Sequence, residues 1–412
     1  MKSETQGKFA SSAKHKQIAQ ILLRPRLWRY RAIVSLVDMC LRPIASWYGP
    51  KNSPDSTPVE NILIFDPGVL GDMIMLLPFL RSLRACMPRS RLTLVGRPGA
   101  GAILLENGMI DEWIEVSIPW GLRGPFWKRN SPFSLSWIDF FRDLSRLRKR
   151  RFDFGFAMGW AADVRGNLAV WLAGACRRVG YGYGGGAFFL TDVVQPNLAR
   201  PHIADQNLHL LECFGSPSLS DEKTLIVSPP DEQFAEELLA KSGIGKDDLI
   251  IGVHPGAGST IREWGDERFA EVARDAAEKF SAKILWFSDP LKPRLFPSNL
   301  NAISLTLPFS QFVAVLDRCQ LFLCNDSGPM HVAAALKVPV VAVFGPQRPE
   351  WFGPYGEGNR VVIRHDIWCR PCGDQCRWKE SYCMSLITVE QVMRVLEEAL
   401  KELTSKSLRA AV

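Results

Sequence analysis

The chain has 412 residues, 47% apolar and 23% charged, with no internal repeat or low-complexity tract. That excludes a disordered or fibrous protein and leaves room for two globular domains, since single cores stop growing at roughly 250 to 300 residues. The formal net charge is +7, but residues 1 to 60 hold ten Lys and Arg against four Asp and Glu, so the body is nearly neutral and argues against a nucleic-acid partner.

The leader "KQIAQILLRPRLWRYRAIVSLVDMCLRPIASWYG" mixes aliphatic residues and Trp with Arg24, Arg26, Arg29, Arg31 and Arg42. Pro25 and the arginines break any uncharged run of about 18 residues, so no spanning helix is expected. A signal-peptide pattern is also missing. Two readings of residues 15–48 stay open: an interfacial helix on an anionic membrane surface, or a helix packed on the body.

After the linker "GPKNSPDSTP", the run "NILIF" is a buried strand that ends in "DPGVLGD" and leads into the helix "MIMLLPFLRSLRACMP". "RLTLVG" and "EWIEVS" follow as strands, "LSWIDFFRDLSRLRKR" as a helix, "FDFGFAM" as a strand and "DVRGNLAVWLAGA" as a helix. The pattern loosens through "GSPSLSDEKTLIVSPPDEQ" and restarts with the strand "LIIGVHPGAG" and the amphipathic helix "DERFAEVARDAAEKF". Then come the strand "KILWFS", the helix "FSQFVAVLDRC", the strand "LFLCND", the helix "MHVAAALK" and the strand "VPVVAVFG". Strands alternating with helices predict two α/β domains, each a doubly wound parallel sheet, facing each other across a cleft. The predicted boundaries are a basic extension at 1–58, a first domain at 59–215, a linker at 216–248, a second domain at 249–387, and a C-terminal helix and tail at 388–412.

Ligands of such sheets bind where loops leave the carboxyl ends of strands, and three turns fall there. Each joins glycine, which lets backbone approach a ligand, to ionisable side chains. In "DPGVLGD", with Gly68 and Gly71, Asp72 enters the helix and is either its cap or a general base for an attacking hydroxyl. In "HPGAGSTIREW", Gly256 opens a flexible loop, and Arg262 has the planar fork to grip a diphosphate. In "NDSGPMH", Asp326 or Ser327 caps a helix whose exposed amides suit an anion, with Gly328 at its start and His331 one turn in. Together these meet the needs of group transfer from a nucleotide-diphosphate donor, with a carboxylate activating the acceptor.

The stretches "NILIFDPGVLGDMIMLLPFLRSLRACMP", "IGVHPGAGSTIREWGDERFAEVA", "NDSGPMHVAAALKVPVVAVFGP" and "CRPCGDQCRWKESYCMSLITVEQV" resemble, in order and spacing, the family 9 glycosyltransferases, and the resemblance covers about 60 to 400. It implies a GT-B fold of two Rossmann-like domains, acceptor in the first and donor in the second. It further implies an inverting, metal-independent transfer of a heptose from ADP-heptose to the lipopolysaccharide inner core or a related glycolipid. That places the enzyme in the cytoplasm, peripheral to the inner face of the inner membrane. Alternatives are a different nucleotide sugar or a catalytically inactive nucleotide-sugar-binding paralogue. The family's base falls on Asp72, its basic phosphate contact on Arg262, and its donor turn on Asp326, Ser327, Gly328 and His331. The chain departs from the family in having Asp66 where a basic residue is usual and Arg262 where lysine is more frequent.

A nicotinamide-dependent oxidoreductase is the competing class, but "GVLGD" is not G-x-G-x-x-G and no acidic residue follows at the usual strand end. Cys369, Cys372, Cys376 and Cys383 are spaced C-x2-C-x3-C-x6-C. They are open to a structural zinc site, to reduced or reversibly bridged thiols, or to a catalytic thiol.

Overall fold

The structure, a computed structural model, describes residues 39–40, 43, 59–99, 101–119, 136–158, 164–215, 223–292, 294, 296–297 and 300–410. The leader over 15–48 and its membrane reading therefore fall outside the described residues but for Met39, Cys40 and Pro43. The chain divides into two compact units, 1–219 and 220–412, so the division lies within the predicted linker.

In the first unit the elements run β1 (Asn61–Asp66), α1 (Leu70–Cys86), β2 (Arg91–Gly96), α2 (Ala102–Glu106), β3 (Glu112–Glu115), α3 (Ser136–Leu147), β4 (Phe154–Ala157), α4 (Val164–Leu172), β5 (Arg177–Tyr181), β6 (Asp192–Val194) and α5 (Ile203–His209). The six strands are parallel and ordered β3-β2-β1-β4-β5-β6. Helices cover both faces, so central strands such as β1 are apolar on both sides, and Ile62, Leu63, Ile64 and Phe65 are fully buried. Phe65 packs edge-on against Phe140 of α3, and Phe79 of α1 packs the same way on Phe156 of β4. Helix α1 begins three residues before the predicted start, which places Asp72 inside its first turn, and it runs through Pro78 without ending.

The second unit runs α6 (Pro229–Lys241), β7 (Ile250–His254), α7 (Asp266–Phe280), β8 (Lys283–Phe287), β9 (Ile303–Leu305), α8 (Phe309–Leu316), β10 (Leu321–Asn325), α9 (Gly328–Ala335), β11 (Val340–Phe344), α10 (Pro349–Phe352), β12 (Arg360–Ile363), α11 (Tyr382–Ser385) and α12 (Val389–Ala410). Its sheet is β12-β11-β10-β7-β8-β9, again parallel. Part of the predicted linker is thus the helix α6, capped by Ser228 and packed on α8. Helix α12 is part of the unit as well: Val392, Leu396, Ala399 and Leu400 sink into the core with Trp264, Phe269 and Trp286.

Counted from its own first strand, each sheet has the order 3-2-1-4-5-6 of nucleotide-binding folds, whose switch point lies between strands 1 and 4. The switch points fall at β1/β4 in the first unit and β7/β10 in the second. All three predicted turns leave these strands.

Candidate functional site

In the first unit β1 hands over to α1 through Pro67, Gly68 and Val69, and every peptide of that turn is used. Gly68 N–H donates to Asp66 Oδ1 at 2.7 Å, and Val69 N–H donates to Asp72 Oδ2 at 2.8 Å. Arg97 Nε donates to the Pro67 carbonyl at 2.7 Å. Asp72 is thus a helix cap, with one oxygen committed to that bond, while its side chain stays partly exposed, as a base must be. Of the two readings of Asp72, the structure shows the cap. A Cβ on Gly68 would lie 2.7 Å from Asp72 Oδ2, so the turn needs glycine. Gly71, buried in the first turn of α1, completes the approach.

In the second unit the turns after β7 and β10 lie side by side because the two strands pair, Cys324 opposite His254. Asn325 laces them together: its amide donates to the Pro255 carbonyl at 2.6 Å and its oxygen accepts Trp264 N–H at 3.2 Å. Arg262 ends the short turn Thr260–Arg262 and reaches Asp326 Oδ2 through Nη1 at 3.3 Å. Its other edge makes a bidentate pair with Asp374, Nε to Oδ1 at 2.7 Å and Nη2 to Oδ2. Arg262 is thus brought to Asp326, which precedes Ser327, Gly328 and His331 at the start of α9. Gly256 packs over His254, where a Cβ would come within 3.0 Å of the ring.

Burial dominates the electrostatics of this turn. Burial first, and then Asp374, push the Asp326 carboxyl up to about 6, with Arg262 opposing. Burial also drives His254 down to about 4, so it is neutral at physiological pH. Ser327 is the N-cap of α9, yet contrary to expectation its side chain makes no capping bond. Its buried Oγ and His254 Nδ1 have no hydrogen-bond partner among the described residues. Leaving a buried donor unsatisfied costs about 1–3 kcal/mol, so such an atom calls for a partner from water, an ion or a ligand. Pro329 takes a first-turn position of α9, where its missing N–H costs nothing.

A family model described as glycosyltransferase family 9 (heptosyltransferase) matches residues 141–382, more than half of the chain. The chain belongs to glycosyltransferase family 9. It is similar to lipooligosaccharide heptosyltransferase 2 of Campylobacter jejuni, 29% identical over 182 residues, which are 41% of this chain. It spans about half of that relative's length, 55%. It is also similar to lipopolysaccharide heptosyltransferase 3 of Escherichia coli, 23% identical over 352 residues, covering 81% of this chain and 98% of that protein. The solved family 9 glycosyltransferase of Veillonella parvula shares the fold, with a TM-score of 0.67, 24% identity, and coverage of 84% of this chain and 99% of that one. The expected GT-B class, two Rossmann-like α/β domains, is the fold of this family 9 chain.

Three features of the family 9 site were not read from its sequence. Asp374 sits in the cysteine-rich loop, and nothing in "CGDQC" announces that it meets an arginine 112 residues away. Arg294 pairs with Glu263 and, at 2.6 Å, with Asp266, bracing the loop that carries Arg262. Asp66 shows in sequence as a departure, but not as a buried acid, 3% exposed. The cysteine loop is fastened by Arg370, which donates to the carbonyls of Gly345, Arg364 at 2.7 Å and Gln347 at 3.1 Å. Among the described residues no three His, Cys, Asp or Glu side chains gather closely enough to hold a metal ion.

Proposed function

We propose that the chain is an inverting glycosyltransferase that moves a heptose from ADP-heptose to the inner core of lipopolysaccharide or a related glycolipid. The observation that carries it is the β10–α9 turn, where Arg262 stands over Asp326 beside the unpartnered hydroxyl of Ser327. Family membership and the heptosyltransferase names of its relatives support the sugar.

Arg262 and the amide end of α9 meet the charge of the donor diphosphate, with His331 as a further donor, and no metal cofactor enters the step. An acceptor hydroxyl attacks the anomeric carbon from the face opposite the diphosphate. Its proton passes to the Asp72 carboxylate, the new C–O bond forms, and the bond to the diphosphate oxygen breaks with its electron pair leaving on phosphate. Arg262 and the α9 amides stabilise the charge that grows there.

Calorimetric titration with ADP, UDP, GDP, CDP and NAD, repeated with His331→Ala, tests the donor site. Tight ADP binding weakened by the variant is expected. Preference for another diphosphate would change the sugar, and preference for NAD would overturn the transferase. The basic leader supports a peripheral position on the cytoplasmic face of the inner membrane. Sedimentation with anionic vesicles should therefore fall on deleting residues 1–58. Among the described residues no helix is long and apolar enough to cross a membrane.

A further inference from the structure

Asp66 ends a central strand of the first sheet, buried to 3% exposure, where the family resemblance leads one to expect a cation. Its carboxyl and that of Asp72 hold consecutive peptides of one turn, Gly68 N–H at 2.7 Å and Val69 N–H at 2.8 Å. The two acids are thus mounted on adjacent peptides of one short turn. Arg97, beyond β2, places its Nε on the Pro67 carbonyl, and its charge is opposed by Arg165 of α4 and supported by Asp72. Burial, then the charge of Asp72, push the Asp66 carboxyl up to about 7, against the pull of the Gly68 N–H.

We propose that Asp66 is a positioning residue for Asp72: it anchors the turn that presents the base, and its own charge state sets how strongly Asp72 takes a proton. Asp66 is the more buried of the two, so in this pair its charged form is the one that burial disfavours. When Asp66 loses its proton, a second negative charge on the turn raises the affinity of Asp72 for the acceptor's proton. The proposal rests on the reading of Asp72 as the base.

The test is Asp66→Asn, which keeps an oxygen for Gly68 N–H and cannot ionise. Asp66→Ser is the second variant should Asn not fold. For a carboxyl raised above its unfolded value, the stability is present at acid pH and lost as pH rises through the folded value near 7. The Tm of D66N relative to the unaltered protein should therefore climb between pH 5 and 8. In a D72N background the same climb should move to lower pH, because the neighbouring charge is gone. In the transfer assay, kcat/KM of the unaltered enzyme should rise about three- to tenfold between pH 6 and 8, and in D66N that rise should vanish with donor KM unchanged. A flat Tm difference, or an unshifted one in D72N, would overturn the coupling. A rise in kcat/KM that survives in D66N would overturn the control of the base. The Tm series needs no substrate, so a protein that transfers nothing while showing both Tm effects would fault the transferase reading and leave the coupled pair standing.

Discussion

Both units wind six parallel strands in the same order and place their polar turns at the same switch point, yet the two turns are built from different charged groups. At the end of β1 two carboxyls share one turn, and the nearest arginine spends its Nε on a backbone carbonyl. At the ends of β7 and β10 a guanidinium faces two carboxylates and the amide end of a helix. One topology therefore carries two different sets of polar groups, which the proposed function assigns to proton removal and to anion binding. The choice is made by a handful of residues just past the strands.

The largest expected effect tests whether the labour is divided in this way. Asp72→Asn keeps an oxygen for the Val69 N–H, so the helix start should survive, with Tm changed by no more than a few degrees. Transfer should fall by about a hundred- to ten-thousandfold, the usual worth of a positioned base. Donor affinity by calorimetry should stay within about twofold. Donor binding lost along with turnover would break the comparison, because the first unit would then also be serving the anion.

Arg262→Ala should act on the other side. Loss of a charged hydrogen-bonding partner is worth roughly 1.5–3 kcal/mol, so donor affinity should weaken by about ten- to a hundredfold. Arg262→Lys should fall between, since lysine keeps the charge and loses the fork that Asp374 now grips. An acceptor KM that moves as much as donor affinity would count against the assignment.

The turns themselves were legible because glycine, proline and an acidic or hydroxyl residue cluster at the end of an apolar run, and strand–turn–helix physics fixes where they must go. Strands β5 and β6 were not read: "RRVGY" has charge and glycine in place of a β-branched run, and β6 is a three-residue edge held through pairing to β5. Helix α6 hid in a Pro- and Ser-rich stretch whose prolines in fact open the helix behind a serine cap. Asp374 could not be found by spacing, because its partner comes from another strand's loop. Burial of Asp66 is a property of the sheet around it. The cysteine spacing also gave no hint that Arg370 fastens the loop to the carbonyls of Gly345, Arg364 and Gln347.

The comparison sharpens with pH. Asp326 is raised to about 6 from the model-peptide value of 3.8, so its contribution to stability is present below pH 4 and lost as pH climbs through 6. Asp326→Asn carries no such penalty. Its Tm relative to the unaltered protein should increase from pH 4 to about 7 and then level, with an upper bound near 3 kcal/mol from a shift of about two units. A difference that is constant with pH would mean that Asp326 titrates normally and that the ion pair with Arg262 offsets its burial.

The smallest effect separates a ligand-binding role from a structural one most directly. Ser327 is buried with its hydroxyl unpartnered, and the helix start it occupies gains no side-chain cap from it. If the hydroxyl served the fold, Ser327→Ala would destabilise by about 1 kcal/mol, as removal of a capping serine does. If it waits for a donor oxygen, the alanine removes an unsatisfied group, so Tm should hold or rise slightly while donor affinity drops about fivefold, one neutral hydrogen bond's worth. Opposite movements of stability and affinity in one variant would mark the second unit's turn as built for a ligand, while a fall in both would return Ser327 to the scaffold.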